Sequence, residues 1–190
     1  MKIATLLAAL LLILSSVHSQ EKKAVNKIKY SSINQLGLLA GANKESFLVQ
    51  TINGVRKDKW FAGIGAGIDF YVERGVPLFI DIRRDLSAKK NTPFLYADGG
   101  MYFPWLNFIQ REQKLNSIIS PGLYYDLGAG WKLTGKNKRG FTVSAGYSFK
   151  QVKEKVTQPV SIAIWPTPVT EPEYYNYKYR RLAIKLGFQL

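Results

Sequence analysis

Residues 60–71, with the sequence WFAGIGAGIDFY, alternate between two kinds of side chain with a period of two. One set is entirely apolar and consists of Trp60, Ala62, Ile64, Ala66, Ile68 and Phe70. The other set combines glycines with a carboxylate and consists of Phe61, Gly63, Gly65, Gly67, Asp69 and Tyr71. Because successive side chains of a β-strand point to opposite faces, this segment predicts a strand with one apolar face.

The same alternation recurs along the chain and predicts an all-β protein. We expect eight strands, at residues 30–41, 47–56, 60–71, 78–83, 94–103, 123–133, 141–150 and 182–190. The composition agrees, since 13% aromatic residues and 16 glycines favour strands and tight turns over helices. We therefore predict an eight-stranded antiparallel up-and-down transmembrane β-barrel, which has the even strand number of single-chain bacterial barrels.

The predicted connections differ in length between the two ends of this barrel. The turns at one end are short and cover residues 57–59, 86–92 and 134–139. The loops at the other end cover residues 42–46, 72–75, 104–120 and 153–173, and two of them are long. Short periplasmic turns and longer outer loops are typical of outer-membrane barrels.

A period of two does not show which face points inward, so a soluble lipocalin-like barrel and a soluble β-sandwich are the alternatives. Charge favours the membrane, because an inward apolar face would place many charged side chains outside and crowd large aromatic residues into a small cavity. With the apolar face outward, the glycines leave room for long charged side chains in a narrow lumen. The predicted lumen charge network comprises Asp69, Asp81, Arg83, Asp98, Asp126, Lys132, Lys150, Arg181 and Lys185.

This network has two interpretations. It is a polar conduit or cation site, or it is a set of paired charges that fills a barrel too narrow for water to pass. We favour paired charges, because small barrels are filled by side chains and buried charges need partners.

Aromatic residues are expected to form a girdle at each membrane interface. The proposed topology places Trp60, Trp131, Phe141 and Phe188 near the periplasmic interface. It places Phe103, Trp105 and Tyr174 near the outer interface.

The first residues predict export. Met1 and Lys2 precede an apolar run over residues 3–14, and small residues follow up to Ser19. This pattern predicts a signal peptide over residues 1–19 with cleavage before Gln20. We expect a flexible leader over residues 20–29 and one barrel domain over residues 30–190.

Two absences limit the chemistry of the mature chain. The sequence contains no cysteine, and its one histidine, His18, lies within the predicted signal peptide. The usual general base and thiol nucleophile are therefore missing, so we expect no enzyme activity. The glycines at 63, 65 and 67 lack the full dinucleotide-binding fingerprint, and no metal-ligand spacing stands out, so we expect no cofactor or metal.

The formal charge of +14 suits nucleic acid, anionic lipid or lipopolysaccharide. Export excludes nucleic acid and leaves outer-membrane lipid and lipopolysaccharide as expected partners. The long outer loops carry Phe108, Ile109, Ile164 and Trp165, which form either an exposed binding surface or a loop folded over the barrel mouth.

The chain resembles the small eight-stranded outer-membrane β-barrel proteins of the porin-like type, in the style of those from Bacteroidota. The resemblance is carried by the signal peptide with Gln20 at the cleavage point, by residues 60–71 and by the alternating strand at residues 182–190. It implies recognition of the last strand by the barrel-assembly machinery during biogenesis in a Gram-negative cell. In this chain Gln189 and Leu190 follow Phe188, which departs from the family's frequent terminal aromatic residue.

These observations lead to three hypotheses about function. The first is a non-enzymatic integral outer-membrane protein that acts as a structural, adhesive or envelope-assembly subunit, with an envelope protein as partner. The second is a narrow pore for ions or small solutes, and the third is a soluble lipocalin-like carrier.

Overall fold

The structure is a computed structural model that describes residues 28–42, 44–105, 117–135, 139–160 and 169–190. The predicted signal peptide and most of the predicted leader lie outside these residues. The described strands are β1 Lys29–Gly41, β2 Glu45–Lys57, β3 Trp60–Asp69, β4 Gly75–Asp85, β5 Asn91–Pro104, β6 Ser117–Ser120, β7 Gly122–Thr134, β8 Gly140–Val160 and β9 Val169–Gln189. Within these ranges, no helix is long and apolar enough to cross a membrane.

The short strand β6 and strand β7 together form one barrel strand. Both pair antiparallel with β8, and the register shifts between them, because Ser120 lies opposite Lys153 whereas Tyr124 lies opposite Lys150. The chain advances four residues from Ser120 to Tyr124 while β8 advances only three from Lys150 to Lys153. This extra residue defines a β-bulge at Pro121, which has no N–H to donate to the ladder. The barrel therefore has eight strands, as the alternation predicts.

The sheet closes on itself, since β8 pairs with β9 and β9 pairs with β1. A path across the paired residues starts at Ser31 on β1, crosses every barrel strand and returns to β1 at Gly41, ten residues further on. This stagger tilts the strands by about 40° from the barrel axis. Closure pairs the strands on both sides around the ring, whereas β6 and residues 169–180 of β9 lie beyond the ring and have β8 as their described partner.

The two faces are oriented as the sequence predicts. On β3, the residues Phe61 and Asp69 are buried inside, whereas Ile64 is 73% exposed on the outside. The other strands repeat this division, and the exposed apolar side chains include Leu36, Ile80, Leu95, Leu127, Val143 and Ile184. The outside of the wall is therefore an apolar band.

The inward glycines make room mainly for aromatic rings, which corrects the prediction that they accommodate long charged side chains. A Cβ atom on Gly65 would lie 2.4 Å from the Phe79 ring, and one on Gly130 would lie 2.5 Å from the Phe94 ring. Only in isolated cases, such as Gly37 against Lys185, does a charged side chain occupy this space. The lumen is thus packed by rings that occupy the space beside the glycine positions.

Strands β8 and β9 are longer than predicted, because β8 ends after residue 150 and β9 begins before residue 182. The sequence predicts a loop over residues 153–173, but β8 continues to Val160 and β9 begins at Val169. The pairing of β9 with β1 ends at Arg181, so the twelve residues from there to Val169 form roughly 40 Å of strand at about 3.3 Å per residue. We call this part of the molecule the β8–β9 hairpin.

Candidate functional site: a charge network inside the barrel

The lumen holds buried charges in three clusters, stacked from the end with the short turns to the end with the loops. We call these the turn end and the loop end, and the groups the turn-end, central and mouth clusters. All nine residues of the predicted lumen charge network lie in them. The sequence prediction missed Arg56 and Asp85, although both stand at positions that the alternation of their strands directs inward.

The turn-end cluster has a carboxylate between two cations. Arg56 on β2 donates to the Asp85 carboxylate at 2.8 Å, and Lys132 on β7 contacts the same oxygen. These three side chains come from strands that are not neighbours in the sheet, so they join opposite parts of the wall.

The central cluster places three carboxylates side by side. Asp81, Asp98 and Asp126 occupy matching register positions on β4, β5 and β7. Arg83 binds Asp81 with its closest contact at 2.7 Å, and the Lys185 Nζ atom lies 2.8 Å from Asp126 and 3.5 Å from Asp98. Two cations therefore compensate three acidic groups.

A tyrosine completes this cluster. The Tyr96 hydroxyl donates to Asp126 at 2.8 Å, and the Lys185 ammonium lies 4.6 Å from the centre of the Tyr96 ring. The ring therefore supports both members of the Lys185–Asp126 pair.

The mouth cluster joins β9 and β8 to the loop between β3 and β4. Arg181 on β9 donates to Asp69 and, at 2.9 Å, to the Ser148 hydroxyl. Lys150 on β8 donates to the backbone carbonyl of Glu73 at 2.9 Å and lies 3.5 Å from Asp69. The loop between β3 and β4 is thus anchored across the loop end of the lumen.

This anchored loop contains a strained residue. Val72 has a φ of 58°, a left-handed conformation that is unfavourable for a β-branched side chain. The backbone is held there from both sides, because Tyr71 N–H donates to the Asp69 carboxylate at 2.8 Å and Trp105 N–H donates to the Arg74 carbonyl at 2.7 Å. These bonds keep the Glu73 carbonyl directed at Lys150.

Burial shows how completely these clusters fill the lumen. The side chains of Asp69, Lys150 and Arg181 are fully buried, and that of Lys185 is 1% exposed. Large buried rings, among them Phe61, Phe79 and Tyr124, pack between the clusters. The described lumen therefore contains paired charges and rings rather than an open path.

Several of the predicted girdle residues lie on the outer face near the two ends of the barrel. Trp60, Trp131 and Phe141 are exposed on the outer face at the turn end, and Phe188 packs against Phe141 with ring centres 5.3 Å apart. Phe103 and Trp105 lie at the loop end.

The structure places Tyr174 away from the predicted outer girdle, which corrects the sequence prediction. It lies on the β8–β9 hairpin, seven residues beyond Arg181 along β9, and is 75% exposed. It therefore projects past the rim. The aromatic group found at the loop end on β7 and β8 is Tyr125, stacked on Phe149 at 4.7 Å, together with Tyr147.

The predicted outer-loop surface is the remaining candidate. Phe108, Ile109, Ile164 and Trp165 all lie outside the described residues. The described part of the loop end is instead the β8–β9 hairpin, whose tyrosines at 175, 177 and 179 alternate with polar residues outside the predicted strands.

A closed antiparallel barrel with a charged interior, an apolar exterior and aromatic residues near both ends belongs to the architectural class of eight-stranded outer-membrane barrels. The fold is similar to the crystal structure of the outer membrane protein OprG from Pseudomonas aeruginosa, at 10% identity and a TM-score of 0.54, covering 87% of this chain and 97% of that one.

Two further solved structures match more loosely. The N-terminal β-barrel domain of Pseudomonas aeruginosa OprF has 12% identity, a TM-score of 0.47 and coverage of 86% of this chain and 100% of that one. The outer membrane protein AlkL, solved by solid-state NMR in DMPC lipid bilayers, has 10% identity, a TM-score of 0.45 and coverage of 90% and 93%. No protein-family model and no curated protein sequence matches the chain.

Proposed function

We propose that this protein is a non-enzymatic integral protein of the Gram-negative outer membrane, exported by its signal peptide, whose closed barrel is a scaffold for the β8–β9 hairpin. In this role it acts as a structural, adhesive or envelope-assembly subunit. The observation that carries the proposal is the combination of an apolar outer wall with a lumen filled by buried ion pairs.

The distribution of polarity supports insertion in a membrane. Outward residues such as Ile64 and Ile80 would expose a continuous apolar band to water in a soluble protein. A lipocalin-like carrier needs the reverse arrangement, with an apolar cavity for its ligand. The charged interior of this barrel suits neither an apolar ligand nor a soluble exterior.

The same interior supports a scaffold rather than a pore. Each buried cation of the central and mouth clusters is within 3.5 Å of a carboxylate, and the mouth cluster also ties down the β3–β4 loop. Opening a path would separate buried charges from their partners, at a cost of about 3–5 kcal/mol for each pair.

The chemistry of the mature chain supports a non-enzymatic role. After residue 19 the sequence contains neither histidine nor cysteine. The carboxylates that remain in the lumen are held by cations, either on the same strand, as Asp81 by Arg83, or across the lumen, as Asp126 by Lys185, so they are not available to a substrate.

Planar-bilayer recording on the purified protein tests the scaffold. We expect no discrete conductance steps from the wild-type chain, while a known porin added to the same bilayer provides the positive control. Reproducible conductance steps that become larger when Arg181→Ala or Lys150→Ala is introduced would contradict the scaffold and support the narrow pore.

The interaction role rests on the β8–β9 hairpin, which extends past the barrel and exposes Tyr174, Tyr175 and Tyr177. We expect its contacts to include outer-membrane lipid, lipopolysaccharide and an envelope protein, and we expect the barrel-assembly machinery to act during biogenesis. Chemical cross-linking in intact outer membranes, comparing the full chain with a variant whose hairpin is closed by a two-residue turn between Lys153 and Asn176, tests this. Identical cross-linked species from both chains would exclude the hairpin as the interaction surface.

A further inference from the structure

The β8–β9 hairpin has different side chains on its two faces. The outward face continues the outer wall of the barrel and carries four basic residues, which we call the basic stripe: Lys153, Lys155, Lys178 and Arg180. Two contacts fix this orientation, because the Lys155 ammonium lies 5.7 Å from the Tyr174 ring centre and the Gln151 amide donates to Asn176 at 2.8 Å.

The inward face of the hairpin carries tyrosines and acids instead. Tyr175, Tyr177 and Tyr179 stack in a row with ring centres 6.1 Å and 6.4 Å apart. The Tyr175 hydroxyl donates to Glu173, and the Tyr179 hydroxyl donates to Glu73 at the barrel mouth. Acidic side chains therefore lie on the face opposite the basic stripe.

The basic stripe has no acidic partner among the described residues, unlike the cations of the lumen. In the described parts of the chain, none of its four residues forms a salt bridge. Residues two apart on one strand are about 7 Å apart, so the four charges repel one another along a line of roughly 15–20 Å. Bound anions would remove this repulsion.

The position of the stripe identifies the anion. Arg180 lies beside Arg181, where the pairing with β1 ends, and the outward side chains just below it, Leu182 and Tyr147, belong to the apolar band. The stripe therefore begins at the loop-end edge of the band and rises from it. Phosphate groups on lipids occupy this level of a membrane, and basic clusters next to a membrane span bind them.

We propose that the basic stripe binds the phosphate groups of lipopolysaccharide in the outer leaflet. The inference rests on the membrane placement given under the proposed function, and it assigns a lipid contact to particular residues. Each stripe residue within reach of a phosphate contributes about fivefold to affinity, from the strength of basic residues near an anionic surface.

Titration of purified lipid A into the folded, detergent-solubilised full-length protein, followed by native mass spectrometry, tests this site. The test variant replaces all four stripe residues with glutamine (K153Q/K155Q/K178Q/R180Q). The matched control removes the same number of charges at the turn end (K57Q/K59Q/K89Q/K90Q). Dephosphorylated lipid A and inorganic phosphate serve as the second and third probes.

We expect wild type and the turn-end control to bind bisphosphorylated lipid A within twofold of each other, and the stripe variant to bind at least 100-fold more weakly. Dephosphorylated lipid A should not distinguish the variants, and inorganic phosphate should compete only at high concentration. Equal losses in both variants would show a bulk charge effect and overturn the site, as would unchanged binding by the stripe variant. Tight binding of inorganic phosphate alone would replace the lipid by a free anion.

Membrane insertion is measured separately on the same preparations by reconstitution into vesicles. If the chain inserts and the stripe variant binds lipid A like wild type, this inference fails while the proposed function stands. If the chain does not insert, the proposed function and the lipid site both fail.

Discussion

Replacing Lys185 with methionine tests whether the central cluster holds the barrel together. Lys185 is 1% exposed and lies 2.8 Å from Asp126 and 3.5 Å from Asp98. At an effective dielectric constant of about 20, these two attractions are worth about 6 and 5 kcal/mol. Burying the ammonium costs several kcal/mol, so the net loss on removing Lys185 is about 3–5 kcal/mol.

The assay is urea-induced unfolding of the protein in lipid vesicles, followed by tryptophan fluorescence. The matched control is Asp98→Asn, which removes one of three acidic groups and leaves two cations facing two carboxylates. We expect this variant to lie within about 1 kcal/mol of wild type, because the lost attraction to Lys185 is offset by the loss of repulsion between Asp98 and its register partners Asp81 and Asp126. The double variant Lys185→Met/Asp126→Asn should recover part of the loss, by about 1–3 kcal/mol of coupling.

Two results would refute this reasoning. A Lys185→Met barrel within about 1 kcal/mol of wild type would show that the cluster is not tightly coupled. An Asp98→Asn variant less stable than Lys185→Met would show that the three carboxylates are not in excess over their cations.

Three further predictions concern packing, strain and topology. Gly65→Ala should destabilise the barrel by about 1–3 kcal/mol, because the new Cβ atom meets the Phe79 ring. The control Gly99→Ala should have no such effect, because a Cβ atom there has no other atom within 4 Å. Equal losses of stability for the two variants in urea unfolding would contradict the ring packing. Val72→Gly should stabilise by up to about 1 kcal/mol, because left-handed strain exceeds the entropy cost of glycine, and a loss above about 1 kcal/mol would argue against strain. The chain has no cysteine, so single cysteines can report which end of the barrel faces outward. Gln151→Cys at the loop end should react with a membrane-impermeant maleimide on intact cells, and Lys59→Cys at the turn end should not. The reverse pattern would show that the turn end faces outward.

The strand alternation made most of the barrel predictable. Where one face of a strand contacts the apolar band and the other the lumen, the period of two survives in the sequence, as in residues 60–71. Parity alone then identifies inward residues such as Asp69, Asp126 and Lys185. The inward position of Asp85 follows from the same rule, and it was missed only because the predicted strand stopped at Arg83.

The hairpin escaped prediction because it has no aliphatic face. Residues 175–180 do alternate, with Tyr175, Tyr177 and Tyr179 between Asn176, Lys178 and Arg180, but the predicted last strand began only at residue 182. The bulge at Pro121 was hidden for a different reason, since it appears only in the pairing of β6 and β7 with β8.

The ion pairs inside the barrel also could not be predicted from the sequence. Which cation meets which carboxylate depends on the ten-residue stagger that closes the sheet. Arg181 and Asp69 are separated by 112 residues yet share a hydrogen bond, and no local pattern relates them. The register between β3 and β4 decides that Gly65 faces the Phe79 ring rather than a charge.

Site-directed spin labelling of single-cysteine variants in lipid vesicles tests the central claim most directly. Labels at the outward positions Ile64, Ile80, Leu127 and Ile184 should collide with dissolved oxygen more often than with a water-soluble nickel chelate, whereas a label at Gln151 on the hairpin should show the opposite preference. Nickel accessibility at the four outward positions equal to that at Gln151 would place the apolar band in water and contradict a membrane-spanning barrel.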